Sequence, residues 1–179
     1  MGNCVFIGRS TIDLMSFVEV MPDPDKKVNA IADFIGGGGS ALNAAIACNA
    51  LGSDVHLWTC LGKEHLYKSI VTAELNEHEI SVVDLSLDDE YQLPLSNIIS
   101  AKQTASRLIV NASQPDCEKV MSLDPKWLDN AKLVLLDQYE HPFVSANVQA
   151  LAEFTGDIVL DAGTWKSHSD QFLSLCTIP

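Results

Sequence analysis

The sequence has 179 residues, 47% hydrophobic and 20% charged, enough for one domain with a sizeable core. A formal net charge of −13 repels anionic surfaces, so nucleic acid and anionic membranes are not expected as partners. Five scattered cysteines, Cys4, Cys48, Cys60, Cys117 and Cys176, form no Cys-x-x-Cys pair. With no signal-peptide pattern and no apolar run of membrane-spanning length, they fit reduced thiols in a cytoplasmic protein.

Residues 3–8 are a short apolar run ending in Gly8 and read as a buried first strand. Residues 9–13 follow at its carboxyl end, where open α/β sheets place their ligands. Asp13 is therefore a candidate for gripping substrate hydroxyls; the alternative is an aspartate that serves a turn or cap. Residues 16–20 read as a second short strand, Pro22-Asp23-Pro24-Asp25 as a turn, and 27–35 as a half-buried strand.

Next come four glycines, Gly36-Gly37-Gly38-Gly39, and an Ala-, Leu- and Ile-rich run that ends at Leu51-Gly52. The glycines read as a loop able to lie close against a ligand, feeding the N-terminus of a buried helix. Gly52 suits a left-handed helix end. Residues 54–62 read as a core strand and 63–77 as a helix with Leu66, Ile70, Val71 and Leu75 on one face.

Residues 80–85 resume strand character, 87–95 form an acidic loop, and 97–101 with 106–110 read as a hairpin through 102–105. Arg107 on that hairpin is either a contact to ligand oxygens or an exposed sheet cation. A short helix is expected over 114–123 and a turn with a brief helical segment over 124–128. The apolar run 131–137 has the character of a parallel-sheet strand. A helix over 143–154, ended by Gly156, a strand over 157–161 and a helix over 170–175 complete the chain. Strands alternating with helices argue for an α/β fold on a parallel sheet.

Several chemistries are excluded. No Gly-Lys-Ser/Thr follows the glycines, so there is no P-loop, and they do not directly follow the first strand as a dinucleotide fingerprint requires. The five histidines lack metal-ligand spacing, so no metal site is expected, and no Gly-x-Ser-x-Gly elbow is present. Trp58, Trp127 and Trp165 are too dispersed to argue a base-stacking platform.

One pattern is specific. Gly38-Gly39-Ser40-Ala41-Leu42-Asn43, then nine residues to Gly52 and ten more to Gly62, resembles the N-terminal signature of the ribokinase-like (PfkB) carbohydrate kinases. The resemblance implies a ribokinase-like three-layer fold on a parallel sheet with a small β lid, truncated before the ATP-binding half. Residues 1–179 are then one incomplete domain with lid segments at about 14–37 and 80–112. The implied substrate contacts are Asp13, Gly38, Gly39, Ser40, Asn43, Arg107 and Glu140, with Asp137 in place of Glu140 if its strand ends earlier.

Ribose-directed members often carry Lys where this chain has Ser40, so fructose-like ketoses and other furanose-like polyols are open beside ribose. ATP and Mg²⁺ are expected for the complete family fold, whose Gly-Ala-Gly-Asp segment supplies the catalytic base. These residues do not include it, so no catalytic residue is assigned. The expectation is the sugar-binding half of an ATP-dependent kinase, inactive by itself and not binding ATP. The alternative is a non-catalytic sugar-binding or self-associating remnant. A homo-oligomer, through the lid or an exposed sheet edge, is expected either way.

Overall fold

The computed structural model describes residues 3–113 and 116–178. Its centre is strand β1 (Asn3–Ile7), flanked by β4 (Val55–Thr59) on one side and β8 (Ala131–Asp137) on the other. Strands β5 (Ser81–Asp84) and β9 (Asp157–Asp161) extend this to a five-stranded sheet of order β5-β4-β1-β8-β9, parallel throughout. Successive side chains of a strand face opposite ways. Phe6 accordingly joins Leu57, Leu42, Val71 and Leu75 in one cluster, under helices α1 (Ser40–Ala50) and α2 (Leu66–Glu77). Val5 and Ile7 join Trp58, Val134, Leu136, Phe143 and Phe172 in the other. That side is covered by α3 (His141–Ala146), α4 (Val148–Ala152) and α5 (Ser169–Leu173). The result is the expected three-layer α/β arrangement.

A second sheet has the order β3-β2-β6-β7, from β2 (Thr11–Val18), β3 (Ala32–Gly38), β6 (Leu95–Ala101) and β7 (Ser106–Asn111). Its inner pair β2 and β6 is parallel, and its two outer pairs are antiparallel.

Several boundaries differ from the sequence reading. Strand β2 starts at Thr11 instead of residue 16, so Asp13 lies inside a strand and not in a connecting turn. The glycines are not a loop: Gly36, Gly37 and Gly38 pair with Asp13, Ile12 and Thr11 as the end of β3. Only Gly39, at φ 102°, turns the chain into α1. Residues 81–84 belong to the five-stranded sheet, so the part of the expected segment 80–112 that joins the second sheet begins at Leu95.

Helix α2 starts three residues later than expected, because His65 caps it by accepting from the Tyr67 N–H at 3.4 Å. The helix expected over 143–154 is broken at Asn147, whose Oδ1 accepts from Leu123 N at 2.8 Å while its amide donates to Phe143 O at 2.8 Å. The helix expected over 114–123 is absent over 116–123. That stretch lies alongside the chain after β5, through Leu87 N to Lys119 O at 2.7 Å and Met121 N to Leu85 O at 3.0 Å. Gln114 and Pro115 lie outside the described residues. The helical end at Gly52 (φ 88°) and the short 3₁₀ turn Pro125–Leu128 follow the reading. Among the described residues no helix is long and apolar enough to cross a membrane.

Candidate functional site

The carboxyl end of β1, the start of α1 and one face of the second sheet enclose a cavity of about 530 Å³. Each wall follows from strand alternation and register. On β2, Thr11 and Asp13 share a face. Asp13 pairs in register with Ser96 of β6, and Ser96 with Asn111 of β7, so the three side chains stand in one row across the sheet. Arg107 and Ile109 lie on the same face of β7 and also line the cavity.

The opposite wall is Gly39, Ser40 and Asn43 at the first turn of α1. Gly39 is held at a φ that L-residues rarely adopt, and a Cβ there would fall on the Arg9 carbonyl. Gly38 is constrained from the other side, since a Cβ there would fall on the Asp13 carboxylate. Thr11 Oγ1 donates to Asp13 Oδ1 at 3.0 Å, which orients the carboxylate and leaves its second oxygen without a protein donor among the bonds described.

The structure thus brings together Asp13, Gly39, Ser40, Asn43 and Arg107 as cavity lining, with Gly38 directly behind Asp13. It does not bring Glu140 to them. Glu140 is 1% exposed, its Oε1 accepting from Cys60 N at 3.3 Å in the core. Burial pushes its carboxyl up to about 7, against the Cys60 donor and with added repulsion from Asp137.

Asp137 is also buried, beneath the cavity floor. It accepts from Tyr139 N at 2.8 Å, Arg9 N at 2.9 Å and Ser40 Oγ at 3.4 Å. Burial raises its carboxyl to about 6 despite these donors.

The polar lining residues that the sequence reading missed are Arg9, Thr11, Ser96, Asn111 and Tyr139. Thr11 carried a usable signal, its two-residue spacing from Asp13. Ser96 and Asn111 carried none, because their placement depends on register between distant strands. The Arg9 guanidinium is tied to Asp116 and to Tyr139 O (3.1 Å), and Asp116 keeps it charged against the cost of burial. The Tyr139 ring has the Arg9 guanidinium 5.5 Å and the Lys166 ammonium 3.7 Å from its centroid.

Chemically, the cavity offers one oriented carboxylate, hydroxyls, two amides and a cation at its mouth. That set matches a neutral polyhydroxy ligand, whose O–H groups both donate and accept. A triphosphate placed there would meet the Asp13 charge, with Arg9 already paired to Asp116 and Arg107 as the other lining cation. Among the described residues no group of three or more His, Cys, Asp or Glu side chains could hold a metal ion.

The family model described as pfkB family carbohydrate kinase matches residues 1–178. Comparison with curated proteins gives no match. Among solved structures, a candidate ribokinase from Agrobacterium tumefaciens superposes with a TM-score of 0.84 at 20% identity, covering 98% of this chain and 57% of its own. A fructokinase from Xylella fastidiosa gives 0.73 at 13% identity, covering 97% and 57%. A ribokinase from Cryptococcus neoformans var. grubii, solved in complex with ADP, gives 0.61 at 15% identity, covering 95% and 52%. The chain therefore spans little more than half the length of the structures it matches.

Proposed function

The chain belongs to the pfkB family of carbohydrate kinases, and on that premise we propose that residues 1–179 hold the acceptor sugar of the kinase reaction in the cavity between α1 and the second sheet. The observation that carries this is the convergence of Asp13, Ser40 and Asn43 on one polar space beside backbone that only glycine permits. Asp13 accepts from sugar hydroxyls with the oxygen that Thr11 leaves free, and charge-assisted bonds of this kind are the strong ones. Asn43 donates and accepts, Ser40 adds a short hydroxyl, Gly38 leaves room for the Asp13 carboxylate, and Gly39 turns the chain into α1 at the cavity wall. Arg107 covers the mouth from β7. Glu140 stays outside this contact set because of its burial.

ATP is the family's phosphoryl donor, with Mg²⁺ as its usual partner. The Asp13 carboxylate disfavours a triphosphate in this cavity. We expect sugar binding without phosphoryl transfer and without ATP binding by these residues, whose sequence holds no Gly-x-Gly-Asp segment. Fold neighbours described as a ribokinase and a fructokinase leave both pentose and ketohexose open. The five free thiols support a reducing, cytoplasmic setting.

Self-association is a second reading. It is favoured by Phe34 and Ile35 on the outer strand β3 and by Leu108, Ile109 and Val110 on the outer strand β7, all exposed. The occupant of these edges is then a second copy of the chain, with no chemistry required.

Calorimetric titration of the 179-residue protein with a panel of pentoses and ketohexoses that includes D-ribose and D-fructose, then with ATP and Mg²⁺, tests the proposal. Sugar binding without ATP binding supports it. Failure to bind any pentose or ketohexose overturns it in favour of the second reading.

A further inference from the structure

Strand β8 is an apolar run that ends in a carboxylate, and Asp137 is fully shielded from solvent. A buried charge is costly unless it is paired or hydrogen-bonded. Asp137 is not among the residues that line the cavity; it lies behind them. Its contacts supply those bonds. The bonds at 2.8, 2.9 and 3.4 Å go to Tyr139 N, Arg9 N and Ser40 Oγ, three lining residues on three separate segments. These are the turn after β8, the turn after β1 and the first turn of α1.

The packing leaves no slack. A Cβ on Gly8 would fall on the Asp137 carboxylate and on Ala41, so the end of β1 and the start of α1 close around it.

We propose that Asp137 is a positioning residue for sugar binding: its carboxylate pins the Arg9, Ser40 and Tyr139 walls in the one arrangement that accepts the sugar. The inference rests on the sugar-binding reading of the same cavity. Both backbone donors and the Ser40 hydroxyl present hydrogens, so the ionised carboxylate, which only accepts, satisfies all three. An amide puts a donor against the Arg9 or the Tyr139 N–H whichever way it turns, and a protonated carboxyl gives up the charge that strengthens both bonds, so either change loosens those walls.

The charged groups around Asp137 are Arg9 from the β1 turn, Glu140 beyond β8 and Lys166 beyond β9. Burial lifts the Asp137 carboxyl to about 6, so its ionised fraction falls steeply between pH 7 and pH 5. When only a fraction of the protein is competent, apparent affinity falls by that fraction.

The experiment is titration of the 179-residue chain with D-ribose and D-fructose from pH 5 to pH 8, in wild type, Asp137→Asn and Ser40→Ala, beside NMR of the Asp137 carboxyl and of the Arg9 and Tyr139 amides. Wild type is expected to lose about tenfold in affinity from pH 7 to pH 5. Asp137→Asn is expected to bind about tenfold more weakly at pH 7, with a flat pH profile. Its effect and that of Ser40→Ala are expected to be less than additive in the double variant. An unchanged affinity or an unchanged pH profile in Asp137→Asn overturns the proposal.

Should Asp137→Asn fail to fold, the wild-type carboxyl and affinity midpoints must coincide, and different midpoints overturn the proposal. If wild type binds no sugar at any pH, the sugar-binding reading fails. The pinning is then judged from the Arg9 and Tyr139 amides, which must titrate together with the Asp137 carboxyl; separate midpoints overturn it.

Discussion

The two sheets of this molecule are built on opposite terms. In the five-stranded sheet, helices cover both faces and strands such as β8 and β1 are apolar almost end to end. In the four-stranded sheet, every residue of β7 is exposed, as is most of β3 ahead of its glycines. The first sheet holds its shape by burial; the second is held by strand pairing and by its junction with α1. The difference teaches where each property resides. Burial belongs to the sheet that contributes little to the cavity lining, and on the proposed function recognition belongs to the one that contributes little to the core.

The largest expected effect tests the first half of that statement. Phe143 on α3 is completely buried in the core cluster. Phe143→Ala is expected to cost about 3–5 kcal/mol in urea unfolding, as aromatic truncations in close-packed cores do. A loss under about 1 kcal/mol would mean the α3 layer is loosely packed and the contrast between the sheets is false.

The next effect opposes stability to recognition through pH. Asp137 and Glu140 have carboxyls raised from 3.8 and 4.5 to about 6 and about 7, mainly by burial. Between about pH 4 and pH 7 the folded state therefore holds protons that the unfolded state has released. Stability contributed by these groups falls as pH rises through that window, by on the order of a few kcal/mol. Sugar affinity, which follows the Asp137 charge, is expected to rise over the upper part of the same window. Chemical denaturation at pH 4.5 and pH 7.5 checks the first trend, with Glu140→Gln expected to reduce the slope. Parallel trends in stability and affinity would show that the cavity merely follows the core.

How far each sheet was legible in the sequence follows from the same contrast. Core strands announce themselves locally: residues 3–8, 131–137 and 157–161 are apolar runs, and the structure keeps them within a residue or so. The second sheet did not. Its β2 mixes Asp13, Met15 and Ser16 with apolar residues, so the reading began the strand at 16, and the structure begins it at Thr11. Gly36, Gly37 and Gly38 read as a loop because glycine is poor in strands. They form a strand because β2 lies close beside them, with Asp13 against Gly38. Gly39, Ser40 and Asn43 were legible through the family resemblance, whose signature keeps them at fixed spacing within one turn. Ser96 and Asn111 were not, because only long-range register places them. Glu140 and Asp137 were legible as polar residues at a strand end, but which way they turn depends on packing that the sequence does not display.

A third test reads recognition alone. Asp13→Asn keeps the shape of the side chain and removes its charge, and Asp13 lies on the cavity side of β2. Hydrogen bonds to charged groups contribute about 1.5–3 kcal/mol, so sugar affinity is expected to fall roughly 10- to 100-fold in calorimetry. The urea midpoint is expected to stay nearly constant, because this residue contributes little to the core. A large stability loss with intact affinity would reverse the assignment of roles between the two sheets.

The smallest effect is the most diagnostic for the outer strands. Leu108 on β7 is 50% exposed, with Ser106 to Asn111 open along their whole length. In an isolated chain, Leu108→Ser removes an apolar side chain that touches little, and surface substitutions of this kind stay within about 0.5 kcal/mol. If the outer strands are covered by a second copy, the same substitution acts on an interface. The unfolding midpoint of the wild type then depends on protein concentration, and that of Leu108→Ser does not. Sedimentation of both proteins at micromolar concentration, read beside the midpoints, separates the cases. A concentration-independent midpoint with a monomeric profile leaves the second sheet as a free wall over the cavity. A concentration-dependent midpoint abolished by Leu108→Ser makes that wall part of an assembly, with recognition and association sharing one sheet while the core stays independent of both.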